Sequence, residues 1–321
     1  MEDGFGRKIE YLRISLTDKC NLRCLYCMPK EGIRLFPRDE ILTFEEIERL
    51  ARIFAALGIK KVRLTGGEPL VRKNMPHLVE KIASIPGIAK ICMTTNGLLF
   101  NDNAQELKKS GLSSVNFSLD TLREDTFFKM SGGHGIKTVL EAIENALALG
   151  FQVKINCVPC KGINDGELPE IALLSKNRLV DVRFIELMPL GMGKHRRGVS
   201  SDQLLTLFEK EFGGAEKSRA EKSSPASYFH FPGFAGKIGF ISPLSHAFCK
   251  NCNRIRLTAD GMLRLCLCQT DEINVKKMLR KGLTDDTIKE AIKAAVQKKP
   301  ASHSFLENDF LQNRIMTQIG G

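Results

Sequence analysis

The sequence of 321 residues contains no apolar run long enough to cross a membrane, since its longest such runs are about seven residues. No apolar stretch follows the charged residues near the N-terminus, which predicts no secretory signal peptide. The hydrophobic fraction of 43% and the charged fraction of 26% are typical of globular proteins and argue against fibrous or wholly disordered chains. We therefore expect a cytoplasmic protein, built as one large domain or two ordinary ones, that does not bind membranes.

The sequence also lacks any pair of histidines at metal-ligand spacing, but it is rich in cysteine and in basic residues. Its 48 Lys and Arg against 37 Asp and Glu give a net charge of +11, which favours an anionic partner: nucleic acid, a membrane surface or a phosphorylated small molecule. Ten cysteines in a chain expected in a reducing compartment indicate metal binding or catalysis rather than disulfides.

Up to about residue 190, short runs rich in β-branched residues alternate with amphipathic helical stretches. This alternation predicts an α/β fold with a parallel sheet, either an incomplete barrel or an open doubly wound sheet. The six predicted strands span residues 11–16, 61–65, 90–94, 114–119, 153–158 and 182–187. In both folds we expect the functional residues at the carboxyl ends of the strands.

The pattern changes in the last third of the chain. Residues 213–226 are small and polar, as in a linker, and Asp260-Gly261 between two short apolar runs predicts a hairpin. We therefore predict two units, residues 1–222 and 223–321.

Cys20, Cys24 and Cys27 form a CxxxCxxC triad directly after the first predicted strand. Three thiolates can bind zinc or an iron–sulfur cluster, but a closed zinc site needs a fourth ligand, and no nearby histidine offers one. On a four-iron cluster, three cysteines leave one iron open to a small molecule. The second predicted strand is followed by a GGEP motif at residues 66–69. Its glycines let a ligand approach the backbone, and Glu68 can accept a hydrogen bond from an ammonium group.

CxxxCxxC with Tyr26 before its last cysteine, followed by GGEP, resembles the radical S-adenosylmethionine (SAM) superfamily. The resemblance implies that Cys20, Cys24 and Cys27 hold a [4Fe–4S] cluster whose open iron binds the amino and carboxyl groups of SAM. Reduction would then cleave SAM to a 5′-deoxyadenosyl radical. The implied cofactor-binding residues are Tyr26, Gly67, Glu68, Ser118 and Met188.

The second triad consists of Cys249, Cys252 and Cys266. Together with one motif inside it and another at the end of the chain, it resembles the GTP 3′,8-cyclase family of molybdenum cofactor biosynthesis. These motifs are Arg-x-Arg at Arg254 and Arg256 and a terminal Ile-Gly-Gly. The resemblance implies an incomplete (βα)6 TIM-like barrel, with a C-terminal α+β region that closes its open side and carries a second [4Fe–4S] cluster. It implies catalytic roles for Arg254, Arg256, Gly320 and Gly321. It also implies GTP contacts from Arg13, Arg63, Thr94, Lys154, Arg254, Ile255 and Arg256.

The family's reaction, if carried over, takes hydrogen from the ribose C3′ of GTP and joins that carbon to C8 of guanine. The product, 3′,8-cyclo-7,8-dihydro-GTP, would pass to the cyclic pyranopterin monophosphate synthase. The resemblance further implies an electron donor such as flavodoxin or ferredoxin, allows a homodimer and gives no role to nucleic acid.

Basic residues within the predicted strands support an anionic ligand independently. Arg13, Arg63, Lys154 and Arg183 lie among Ile, Leu and Val in strands that should be covered on both faces, and a lone buried cation is costly. The alternative is internal pairing with the carboxylates Glu68, Asp120 and Glu186. We expect such pairing for Arg183 and ligand contacts for the others.

Cys268 departs from the family, which more often has an aromatic residue there. It lies two residues after Cys266, and we predict that Cys266, not Cys268, is the ligand. Two other functions stay open: a different radical SAM enzyme with an auxiliary cluster, such as a peptide modifier, and a zinc-binding nucleic-acid protein. The second leaves GGEP unexplained.

Overall fold

The computed structural model describes residues 1–219, 224–305 and 314–320. The described strands are β1 Tyr11–Ser15, β2 Lys61–Thr65, β3 Lys90–Thr95, β4 Ser114–Ser118, β5 Gln152–Cys157, β6 Asp181–Ile185, β7 Glu216–Lys217, β8 Ala226–His230, β9 Ile238–Ile241, β10 Arg254–Leu257, β11 Met262–Arg264 and β12 Glu272–Asn274. The described helices are α1 Phe44–Ala56, α2 Met75–Ala83, α3 Ala104–Lys109, α4 Glu124–Ser131, α5 Ile136–Ala148, α6 Leu168–Ala172, α7 Ser201–Phe212, α8 Val275–Arg280, α9 Asp285–Gln297 and α10 Met316–Ile319.

All described strands belong to one sheet in the order β12-β11-β10-β1-β2-β3-β4-β5-β6-β9-β8-β7. The strands from β10 to β9 in this order run parallel, and antiparallel strands flank them at both ends. The six predicted strands and the α/β fold are confirmed. The C-terminal region extends this sheet at both edges, with β10 beside β1 and β9 beside β6.

The helices cover the sheet through apolar faces spaced as the sequence predicts. Thr43 before an amphipathic stretch, with Glu46 three residues later, predicts a capping box at the start of α1. The structure confirms it, since the Thr43 hydroxyl accepts from the Glu46 amide and the Glu46 carboxylate accepts from the Thr43 amide. Ile47, Leu50 and Phe54 follow at helical spacing and are fully buried. Burial of each such side chain contributes about 1.5–3 kcal/mol.

The C-terminal elements agree in part with the sequence pattern. The hairpin at Asp260-Gly261 is confirmed, since β10 and β11 pair antiparallel. The predicted linker was wrong in part, because Glu216–Lys217 within it pairs with β8 as strand β7. The division into units at residue 222 stays a prediction. No helix within the described ranges is long and apolar enough to span a membrane.

Candidate active site

A cavity of about 420 Å³ is lined by residues of all the parallel strands, from their amino ends to their carboxyl ends. At the carboxyl ends it is lined by Cys20, Cys24, Cys27 and Glu68, and Arg254 lies at the opposite end. The cavity thus extends beyond the carboxyl ends of the strands, where we expect the functional residues, to their amino ends. Of the predicted site residues, the cavity is lined by Arg13, Cys20, Cys24, Tyr26, Cys27, Arg63, Gly67, Glu68, Thr94, Ser118, Lys154, Met188, Arg254 and Arg256.

The GGEP motif fixes the loop that carries the first triad. The Gly67 amide donates to the Thr17 carbonyl at 2.7 Å, and the Glu68 amide donates to the Lys19 carbonyl at 2.8 Å. A Cβ atom at position 67 would overlap the Lys19 carbonyl. Only glycine therefore allows the two loops to lie this close.

The Glu68 side chain ties β2 to the loop after β3. Its carboxylate accepts from the Thr95 hydroxyl at 2.8 Å, the Asn96 amide at 2.7 Å and the Leu70 amide at 3.1 Å. Burial raises the pKa of Glu68 to about 7, against the effect of these donors. Its predicted contact with the ammonium group of SAM stays a prediction.

Asp120 orients Tyr26 and is a residue that the predicted site omitted. The Tyr26 hydroxyl donates to Asp120 Oδ2 at 2.6 Å, and the Val158 amide donates to Oδ1 at 2.7 Å. Burial raises the pKa of Asp120 to about 6. Tyr26 is thereby held on the cavity wall between Cys24 and Cys27.

The three thiols of the first triad fit a cluster that supplies positive charge. Burial, with smaller contributions from neighbouring acids, raises the pKa of Cys20 and Cys24, and that of Cys27 to about 12. Such thiols become thiolates when a metal centre binds them. Within the described ranges, no three His, Cys, Asp or Glu side chains converge as one metal ion would require. A four-iron cluster instead engages each thiolate through a different iron.

Arginines from three adjacent strands form a row across the cavity. Arg13 on β1 lies opposite Arg63 on β2 and opposite Arg256 on β10. Burial and the neighbouring cations lower the pKa of Arg13 to about 10 and that of Arg256 well below its usual range. Because like charges in register repel, this row is suited to an anionic ligand.

Two more cations line the cavity from the far strands. Lys154 Nζ lies 2.5 Å from Asp181 and 3.0 Å from the Tyr228 hydroxyl. Arg183 makes no ion pair with any described carboxylate, so the expected internal pairing is not found for it and is found for Lys154 instead. The Glu186 carboxylate accepts from other groups, namely the Ser201 amide, the Leu244 amide, and the amide and hydroxyl of Ser245.

Ile255 lies between the two arginines of β10, and its side chain faces the core. It is fully buried, as strand alternation requires for a residue between two cavity-facing neighbours. The Arg254 guanidinium lies 4.8 Å from the centre of the Phe248 ring. Any contact of Ile255 with a ligand would therefore use its backbone.

The C-terminal tail reaches the same cavity. Arg256 Nη1 donates to the Gly320 carbonyl at 2.5 Å, and Met316 and Thr317 line the cavity. Gly320 has a φ of +88°, and a Cβ there would lie 2.8 Å from Ser15 Cβ. Glycine is therefore needed on both conformational and steric grounds. Gly321 lies outside the described residues.

The second triad lies beyond the amino end of β10, and its three cysteines are half-buried. Burial acts to raise the pKa of Cys252, but Lys299 and Arg254 outweigh it, so the pKa is lowered. Cys268 is buried and its sulfur accepts from the Ser304 amide at 3.3 Å. The predicted ligands and Cys268 thus have different surroundings.

Comparison with known proteins shows which families the chain matches. The Radical SAM superfamily model matches residues 14–174, and the Molybdenum Cofactor Synthesis C model matches residues 180–305. The chain is 44% identical over 323 residues to the GTP 3′,8-cyclase of Clostridium perfringens, with all of both chains covered. It is 45% identical over 325 residues to that of Thermodesulfovibrio yellowstonii, again with full coverage.

This chain belongs to the GTP 3′,8-cyclase family. It is also 42% identical to molybdenum cofactor biosynthesis protein 1 of Dictyostelium discoideum, of which it covers 52%. The structure resembles that of Streptococcus suis SuiB bound to S-adenosylmethionine, with a TM-score of 0.62 and 15% identity over 93% of this chain and 73% of SuiB. That likeness concerns the fold alone.

Membership of this family confirms the sequence-based recognition, and it makes SAM and an iron–sulfur cluster the cofactors of the chain. Family membership therefore favours neither of the two alternative functions, a zinc-binding nucleic-acid protein or a peptide-modifying radical SAM enzyme. The roles of individual residues stay predictions.

Sequence reasoning missed several cavity residues, and strand alternation could have found two of them. Tyr11 precedes Arg13 by two residues, and Lys61 precedes Arg63 by two. Each therefore lies on the same strand face as an arginine that is predicted to contact GTP. Tyr228 lies on β8, far along the chain from its contact Lys154, and no local pattern indicates it.

Proposed function

We propose that this chain converts GTP to 3′,8-cyclo-7,8-dihydro-GTP, the first step of molybdenum cofactor biosynthesis. The observation that carries this proposal is the row of Arg256, Arg13 and Arg63 inside a cavity whose carboxyl end holds the first cysteine triad. The family's activity gives the reaction, and the cavity gives a place for an anionic nucleotide beside a cofactor site.

The arginine row is suited to the triphosphate of GTP. Guanidinium groups make paired, charge-assisted hydrogen bonds to phosphate oxygens, each worth about 1.5–3 kcal/mol. An anion in the row would offset the repulsion between Arg13 and its two neighbours. Thr94 and Lys154, further along the same wall, would contact other parts of the nucleotide.

At the other end of the cavity, Cys20, Cys24 and Cys27 would ligate the cluster that binds SAM. When bound, cluster and SAM together supply the radical chemistry that starts the ring closure. Tyr26, held by Asp120, would pack against the cofactor with Gly67, Ser118 and Met188. The chain's own part is to orient GTP, to exclude water from the reacting atoms and to hold the ribose toward SAM.

A second [4Fe–4S] cluster on Cys249, Cys252 and Cys266 is the finer part of this proposal. The lowered pKa of Cys252 favours the thiolate that a cluster needs. Three cysteines would again leave one iron open, here toward the nucleotide end of the cavity. Gly320, held by Arg256, would complete the wall, and Gly321 would follow it.

The remaining partners stay proposals of the same kind. A flavodoxin or ferredoxin would supply the electron, and the cyclic pyranopterin monophosphate synthase would consume the product. We also keep the prediction of a cytoplasmic enzyme that uses neither membrane nor nucleic acid.

The test is an anaerobic assay of the iron-reconstituted chain with SAM, a reductant and either GTP or ATP. In the reaction with GTP we expect 5′-deoxyadenosine and a cyclic product isomeric with GTP, both detected by mass spectrometry. In the reaction with ATP we expect no cyclic product. Formation of 5′-deoxyadenosine without any cyclised nucleotide would contradict the proposal.

A further inference from the structure

Tyr11 lies at the nucleotide end of the cavity but has no role in the site described above. It is the first residue of β1, in register with Lys61 on β2 and with Arg254 on β10. Its side chain lines the cavity and is 8% exposed. It shares a face of β1 with Arg13, so the phenol projects into the same space as the arginine row.

The contacts of Tyr11 are with cations. Arg63 Nε donates to the Tyr11 hydroxyl oxygen at 2.5 Å, and Lys61 Nζ lies 4.6 Å from the ring centre. The oxygen is thus used as an acceptor, whereas no acceptor for the hydroxyl proton is found in the described part of the chain. A phenol that accepts from a guanidinium is a stronger donor, because hydrogen bonds in a chain polarise one another.

We propose that Tyr11 is a binding residue for the nucleotide, whose hydroxyl donates a hydrogen bond to the triphosphate while its oxygen holds Arg63 in place. This inference rests on the proposed function. A phosphate oxygen seated against Arg63 and Arg13 is the acceptor that the Tyr11 proton lacks. Tyr11 would then add a neutral donor to a row of charged ones, without adding to their mutual repulsion.

A structural role makes a different prediction. If Tyr11 only held Arg63, Tyr11→Phe would have no further effect on GTP affinity in a chain that already carries Arg63→Ala. If Tyr11 also donates to phosphate, Tyr11→Phe weakens GTP binding in that chain too, and it spares the binding of guanosine, which lacks phosphates. The comparison with Arg63→Ala therefore separates the roles, and guanosine shows whether the phosphates are involved.

The experiment measures the affinities of GTP and guanosine, by equilibrium dialysis under anaerobic conditions, for the full chain with its clusters and for Tyr11→Phe. Phenylalanine keeps the ring and its contact with Lys61. We expect the affinity for GTP to fall about 10- to 100-fold and the affinity for guanosine to change less than about twofold. Ser175→Ala is the control, because it also removes a buried hydroxyl, one that donates to the Ala172 carbonyl away from the cavity, and it should keep the GTP affinity within about twofold.

The pH dependence of GTP binding gives a second readout, in which the unaltered chain is compared with Tyr11→Phe. Burial acts to raise the pKa of Tyr11, but the surrounding cations outweigh it and lower the pKa to about 8. Above that pH the phenolate has no proton to donate and repels phosphate, so the affinity of the unaltered chain for GTP should fall as pH rises through about 8. The charged or titratable groups that face Tyr11 are Arg13 on β1, Lys61 and Arg63 on β2, Cys92 on β3 and Arg254 on β10. Their contribution persists in Tyr11→Phe, so the difference between the two pH curves belongs to Tyr11.

Three outcomes of the Tyr11→Phe measurements would overturn the inference: an unchanged GTP affinity, an equal loss of affinity for GTP and guanosine, or a loss of GTP affinity that disappears when Arg63 is already replaced by alanine. A GTP affinity of the unaltered chain that stays constant from pH 7 to 9 would overturn it as well. Failure of the unaltered chain to bind GTP at all would instead refute the proposed function, so the two failures are distinguishable.

Discussion

The two cysteine triads lie beyond opposite ends of the parallel strands, and their surroundings act differently on the thiols. At the carboxyl end, burial raises the pKa of all three thiols, with a smaller contribution from Glu68 at Cys20 and from Asp120 at Cys24 and Cys27. At the amino end, burial raises the pKa of Cys249, whereas Lys299 and Arg254 lower the pKa of Cys252. SAM carries a sulfonium and an ammonium group, whereas GTP carries a triphosphate. The cavity wall itself carries Arg13, Arg63, Arg254 and Arg256 toward its amino end and Glu68 at its carboxyl end, a distribution of charge that fits the proposed places of GTP and SAM.

The largest effect should come from the carboxyl end. Cys24→Ala leaves two thiolates, which cannot hold a cluster while leaving one iron open, so release of 5′-deoxyadenosine should cease. Iron analysis should show about half of the metal retained, because the other triad is intact. Release at the unaltered rate would show that Cys24 is not a ligand.

The cluster proposed for the second triad can be removed separately with Cys266→Ala. This variant should lose about half of the iron and all cyclisation of GTP, and it should keep the cluster of the first triad. Cys268→Ala is the matched control. Its sulfur contacts Ser304, so we expect full iron content and near-normal turnover. Loss of iron in Cys268→Ala but not in Cys266→Ala would reverse the ligand assignment.

Deletion of Gly320 and Gly321 should abolish cyclisation of GTP without removing either cluster. Arg256 loses the Gly320 carbonyl that it contacts, so its guanidinium is no longer held toward the nucleotide. Both clusters and the melting temperature should be unchanged, while cyclisation of GTP ceases. A truncated chain that forms the cyclic product at the full rate would show that the tail is only a frayed terminus.

Arg254→Ala and Arg256→Ala should have smaller, graded effects on the amino end. Each removes charge-assisted hydrogen bonds to the nucleotide, and we expect the KM for GTP to rise about 10- to 100-fold. Iron content should not change. An unaltered GTP affinity in both variants would make these arginines structural.

The smallest expected effect tests the cause of the lowered pKa of Cys252. Lys299→Met removes the first of the cations that lower it, so alkylation of Cys252 in the iron-free chain at neutral pH should slow severalfold. Lys298→Met is the matched control, because Lys298 is exposed and is not among those cations. Equal rates in both variants would exclude Lys299 as the cause.

Local patterns in the sequence predicted the central strands, the capping box of α1 and the residues of both triads. Cys20, Cys24 and Gly67 were found because their spacing reflects one loop and one turn. The register of β10 beside β1, which places Arg256 against Arg13, joins residues 243 positions apart. No periodicity encodes such a pairing, and only the recognised family suggested that these arginines share a ligand.

Partners of buried charges were the least predictable part of the site. Burial in a parallel sheet indicated that Lys154 and Arg183 need anions, but it did not say which. Asp181 satisfies Lys154 because β5 and β6 are in register there, and Glu186 is occupied by backbone amides instead. Such choices depend on loop geometry, which composition and spacing do not determine.

The most direct test of the central claim follows one hydrogen atom. GTP labelled with deuterium at the ribose C3′ is incubated anaerobically with SAM, a reductant and the iron-reconstituted chain, and the 5′-deoxyadenosine is analysed by mass spectrometry. If SAM and the ribose of GTP meet in this cavity, the deuterium should appear in 5′-deoxyadenosine together with the cyclised nucleotide. Unlabelled 5′-deoxyadenosine alongside unreacted GTP would contradict the account.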